Sequence, residues 1–174
     1  MDTELPRIEA VKADAPLMTL RVRWRGKRVP DEVNLSGWIA TGGDILAPLR
    51  DPRAFSRAAI SDYGAAVTWD DGEGDLAIDA LHLSKLAQEQ KPLSNTELRT
   101  WQSQMQLSNN ECADLVGVSL STWNLYRADA KIPHLVGITL RAALRDPLVM
   151  QAHLRPRVAG RPRKTESEGG RRSR

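Results

Sequence analysis

The stretch "LSNNECADLVGVSLSTWNLYR", residues 107–127, holds two short amphipathic segments hinged on one glycine. Ser108 and Glu111 stand three apart as S-x-x-E, the spacing at which hydroxyl and carboxylate satisfy each other's free backbone N–H groups, so a helix opens at Asn109. Gly117 ends it, where a tight turn needs positive φ. Ser119 caps a second helix, "LSTWNLYRA", with Trp123 and Tyr126 on one face and Leu120, Ser121, Asn124 and Leu125 largely on the other.

On either side of this pair the apolar spacing predicts further helices, about five between residues 94 and 154, and no strand. "NTELRTWQSQMQ" places Leu98, Trp101 and Met105 at i, i+3, i+7. "KIPHLVGITLRAAL" predicts a helix from around Pro133, and "DPLVMQAHL" sets Asp146 as a cap before Pro147 at the first helical position. Two short helices joined by "VGVS" make a helix-turn-helix.

The segment resembles the lambda-repressor-like family of bacterial regulators. The resemblance rests on Ala113 at the helix crossing, Gly117 in the turn, the apolar plugs Cys112, Val116, Val118, Trp123 and Tyr126, Pro133, and "LRAAL". It implies that residues 92–154 form an all-α helix-turn-helix domain on double-stranded DNA, with Asn109 standing where the family commonly has a phosphate-binding Gln. Ser119, Leu120, Ser121, Thr122 and Asn124 fall where base edges are read, Leu125 where a base or phosphate is often met, and Arg127 beside them. Asn124 is the best base reader, since Asn pairs bidentately with adenine, whereas Leu125 offers only apolar contact to a thymine methyl. Residues 94–154 carry five basic and five acidic side chains, so this segment lacks the net positive charge usual for phosphate neutralisation.

Residues 1–91 read as a small α+β domain with an antiparallel sheet. "LMTLRVRW" alternates, with Leu20, Val22 and Trp24 on one face and Thr19, Arg21 and Arg23 on the other. "RGK" is a hairpin turn, and Val29 opens the next strand. Asp51-Pro52 starts a short helix, two or three short strands follow around "DYG" and "DDGEG", and "DALHLSKLAQEQ" forms a helix with Leu81, Leu83 and Leu86 inward. Pro48, Leu49, Asp51, Phe55, Gly64, Trp69, Asp75, Leu76 and Asp79 resemble a bacterial α/β family of unknown function, number twenty-four forty-two in its series. Some members of that family carry a helix-turn-helix behind this domain, which implies a two-part DNA-binding protein here.

Residues 155–174 hold eight basic and two acidic side chains and almost nothing to bury, so a disordered basic tail is expected. Within it "GRPRK", residues 160–164, resembles an AT-hook. That likeness implies Arg161 in a narrow minor groove, with Arg163 and Lys164 on phosphates. A solubilising tail is the plainer alternative.

No apolar run approaches the ~20 residues that span a bilayer, and "MDTELPRIEA" lacks a secretory apolar core, so a cytoplasmic location and no membrane partner are expected. The acids at 70, 71, 73, 75 and 79 suit turns better than a metal site, the three histidines are scattered, and Cys112 stands alone. No catalytic motif appears, so neither enzyme activity nor a cofactor is expected. The expected function is a sequence-specific transcriptional regulator, antitoxin-like proteins included, acting as a homodimer, with the N-terminal domain dimerising it or docking a protein partner. The alternative is a protein–protein interaction module in which the helix pair is scaffold.

Overall fold

The computed structural model describes residues 5–157. The protein is mixed α/β, and it divides into two compact units between Lys91 and Pro92.

In the first unit the alternating stretch forms β2 (Thr19–Trp24), the middle of an antiparallel sheet between β1 (Ile8–Asp14) and β3 (Asp31–Asn34). Leu20, Val22 and Trp24 are buried and Arg21 and Arg23 exposed, as a period of two requires. β1 was not anticipated: its alternation is broken by a bulge between Ile8 and Ala10 and by charges at Glu9, Lys12 and Asp14. It pairs because the turn at Ala15–Met18, with Met18 at φ 48°, folds it back on β2. The strand expected from Val29 begins instead at Asp31. Val29 is 75% exposed, and Pro30 has no N–H to give to the ladder.

A second antiparallel sheet runs β4 (Ala59–Ser61), β5 (Ala66–Thr68), β6 (Ala77–Asp79). Gly64, at φ 87° between β4 and β5, lies so close to β1 that a Cβ there would sit 2.3 Å from the Ile8 carbonyl oxygen. Asp70 ties the following loop, accepting from Thr68 Oγ1 at 2.7 Å and from the Leu76 N–H at 3.1 Å, so this acid is spent on a turn.

Between the sheets lie α1 (Ser36–Thr41), α2 (Gly43–Leu46), a 3-10 turn (Ala47–Arg50) and α3 (Pro52–Phe55), the last capped by Asp51 as expected. The core gathers on Trp69, whose ring lies 5.9 Å from Phe55 and 6.0 Å from Trp38, and whose Nε1 donates to the Phe55 carbonyl. α4 (Ala80–Gln90) closes the unit from an Asp79 cap. It buries Ala80, Leu83 and Ala87, while Leu81, expected inward, is 41% exposed. The cap sets the phase of the helix, and two alanines fill the places a leucine count overlooks.

The described residues of the second unit contain helices and no strand: α5 (Asn95–Met105), α6 (Asn109–Val116), α7 (Leu120–Ala128), α8 (His134–Arg145) and α9 (Pro147–His153). Both α5 and α6 open on complete capping boxes, Ser94/Glu97 and Ser108/Glu111. Gly117 adopts φ 71° between α6 and α7. Leu98, Trp101, Cys112, Ala113, Trp123, Tyr126, Val136 and Leu140 are buried together as the core. Trp101 Nε1 donates to the Leu140 carbonyl at 2.9 Å, which satisfies the one polar atom that this ring brings inside.

Candidate nucleic-acid interface

α7 turns Trp123 and Tyr126 into the core, which leaves Leu120, Ser121, Asn124, Leu125 and Ala128 on its exposed face. Leu120 and Leu125 are 41% and 58% exposed. The helix is held at both ends. At the start, Ser119 Oγ accepts the Thr122 N–H at 3.1 Å and lies within 2.9 Å of the Ser121 and Thr122 hydroxyls. At the end, α5 reaches across: Asn95 Nδ2 donates to the Tyr126 and Ala130 carbonyls at 2.7 and 2.8 Å, and Arg99 Nη1 donates to the Arg127 carbonyl. The last carbonyls of a helix lack intrahelical donors, and here a neighbouring helix supplies them.

The candidate residues of the stretch therefore divide. Asn124 and Ser121 are exposed, together with Leu120 and Leu125. Ser119 and Thr122 are largely engaged in the cap, with Thr122 half-buried. Arg127 is half-buried on the flank of α7 and its Nε is buried without a hydrogen-bond partner, so it does not stand with the exposed group. Asn109 is half-buried rather than free. Its Oδ1 accepts from Gln102 Nε2 at 2.8 Å, and its Nδ2 donates to Asn124 Oδ1 at 2.9 Å. Arg161, Arg163 and Lys164 lie outside the described residues.

Sequence reasoning missed three contributors. Gln102 is 8% exposed; its Oε1 accepts from Trp123 Nε1 at 3.2 Å and its Nε2 also donates to the Leu107 carbonyl at 2.9 Å. A signal for it existed, because Gln102 falls on the buried stripe that Leu98 and Trp101 define. Asn95 is a second, and it falls on the same stripe, three residues before Leu98. Arg157 is the third. Although it belongs to the basic C-terminal run, its backbone N–H donates to Glu111 Oε1 at 3.0 Å and its guanidinium pairs with Asp114 Oδ2 at 2.7 Å.

These contacts set the electrostatics of α6. Glu111 is held down to about 2 by the Ser108 hydroxyl, then by the backbone N–H groups of Ser108 and Arg157. Burial pushes the Cys112 thiol up to about 12, with the nearby Glu111 charge adding to it, so the thiol stays protonated at neutral pH. Among the described residues no group of three or more His, Cys, Asp or Glu side chains is placed to hold a metal ion, and no helix is long and apolar enough to cross a membrane.

No protein-family model matches the chain, and no curated protein matches it. Among solved structures the chain is similar to the crystal structure of "Putative DNA Binding Protein NE0471" from Nitrosomonas europaea, with 28% identity over 88% of this chain and 94% of that one and a TM-score of 0.41.

Proposed function

We propose that the protein is a sequence-specific double-stranded-DNA-binding regulator in which α6 and α7 act as a lambda-repressor-like helix-turn-helix and the basic tail adds attraction. One observation carries this most: α7 is clamped at both ends yet keeps a continuous exposed face centred on Asn124, with no core side chain in it. A rigid helix that presents a few short side chains is the form a major-groove reader takes. The ion pair of Arg157 with Asp114 supports the same reading, because it offsets negative charge on α6 that phosphates would meet.

Binding to random and A·T-rich duplexes across a salt series tests this proposal, for the full chain and for a version ending at Arg157. The full chain is expected to show the steeper salt dependence, since each phosphate contact contributes a slope of about 0.9. The shorter chain is expected to keep a sequence preference that Asn124→Ala weakens about tenfold. Loss of all binding on truncation would place the function in the tail alone.

A second reading is favoured by Leu120 and Leu125. Their exposure, on a helical segment that carries no net charge over residues 94–154, suits a protein partner that packs on α7. In that case the Leu125→Asp variant loses a protein contact and leaves DNA affinity as it was.

A further inference from the structure

We infer that the outward polarity of Asn124 is set from inside the helical unit, by Gln102 acting through Asn109. A carboxamide has a donor end and an acceptor end of nearly equal shape, so an exposed Asn ordinarily flips to suit its partner. Here the choice is made by groups that have none. Trp123 Nε1 is only a donor, and it meets Gln102 at 3.2 Å, so the oxygen of Gln102 must face it. The Leu107 carbonyl is only an acceptor, and it meets the other end of Gln102 at 2.9 Å. Two fixed partners thus lock Gln102 with Nε2 toward α6.

The remaining Nε2 hydrogen points at Asn109, 2.8 Å away, which must receive it on Oδ1. Asn109 Nδ2 is thereby turned to Asn124 at 2.9 Å and must find an acceptor there. Asn124 answers with Oδ1, and its NH2 end is left for whatever lies on the exposed face of α7. Each link is a modest hydrogen bond, but a flip anywhere opposes donor to donor and acceptor to acceptor along the whole chain, starting at a buried indole. Gln102 and Asn109 are positioning residues, and Asn124 is the group they aim.

Resting on the DNA-binding reading above, this assigns a chemistry to the contact. Asn124 offers donors first, so it favours a base with a major-groove acceptor, as guanine has in N7 and O6, and disfavours cytosine, whose N4 amino group is itself a donor. The mostly used Oδ1 leaves Asn124 a poorer match for the symmetrical bidentate pair with adenine than its residue type suggests.

Asn109→Asp is the informative variant. It keeps size and shape, and a carboxylate in the first turn of a helix is tolerated by the helix dipole. A carboxylate has no donor, so Asn124 must turn its NH2 inward and its oxygen outward. In the DNA-free full chain, proton exchange of the side-chain amides followed by NMR is expected to show Asn109 protected and Asn124 open, with protection moving to Asn124 in the variant. Open Asn109 amide protons in the unaltered chain, or no change in Asn124, overturns the inference. On DNA, the base located by loss of preference in Asn124→Ala is expected to be guanine over cytosine by about tenfold in the unaltered chain and to invert in Asn109→Asp. A uniform loss of affinity with guanine still preferred overturns the relay and leaves DNA reading intact. If exchange shows the switch while no chain prefers any base, the relay stands and the DNA-binding reading fails.

Discussion

At the scale of a residue, Glu111 concentrates several functions in one carboxylate. It closes the capping box with Ser108 and receives the Arg157 backbone N–H. Its pKa falls from 4.5 to about 2 in the folded protein, for which the Ser108 hydroxyl is the first cause. A group whose folded pKa is depressed stabilises the fold above its unfolded value and loses that contribution as pH falls through the folded one. Stability against thermal unfolding is therefore expected to fall as pH drops from 4.5 to about 2 in the natural chain, and less so in Glu111→Gln. Equal acid sensitivity in both chains would show that the box contributes nothing there. This cap was legible from sequence, because S-x-x-E is a local pattern with a local cause. The equivalent signal at Ser94 and Glu97 was equally present. By contrast, the partial burial of Arg127 was not legible, since it depends on the neighbour that its flank of α7 meets.

At the scale of an element, α7 shows how a short helix is made stable enough to present side chains. A nine-residue helix is marginal alone, and packing with end satisfaction must hold it. From α5, Asn95 Nδ2 donates to the Tyr126 carbonyl in the last turn and to the Ala130 carbonyl just beyond it. Asn95→Ala removes both donors at a part-buried site, which is expected to lower stability by about 1–3 kcal/mol in a denaturant titration. A midpoint unchanged within error would mean that water replaces Asn95 freely. Helix starts were readable here from Ser108, Ser119 and Asp146, whereas strand β1 was not, because its pairing depends on a turn and on β2 rather than on its own pattern.

At the scale of the whole molecule, charge and function are distributed unequally. The chain carries a net charge of +3, yet residues 155–174 hold eight basic and two acidic groups, so the rest is slightly acidic. The DNA-binding function proposed above would gain specificity by pairing two half-sites, so that proposal carries with it a homodimer. Light scattering at micromolar concentration with duplex DNA is expected to give twice the 19.3 kDa chain mass per site. A one-to-one complex at every concentration would sink the dimer. In the N-terminal unit, the cleft beside the 24–27 turn and α4 has Arg7, Arg25, Lys27 and Lys85 as its charged lining.

Local chemistry was enough to place caps, the positive-φ glycine at 117, the alternating strand β2 and the exposed face of α7, because each depends on residues within one or two turns of chain. Whether a candidate side chain is free was another matter. Asn109 and Asn124 are 15 residues apart, and Gln102 and Trp123 are 21 apart. Their hydrogen bonds exist only once α5, α6 and α7 pack around a common core. Burial of the Trp123 indole then requires a partner for its N–H, and that requirement passes outward to the surface as a fixed direction of one amide.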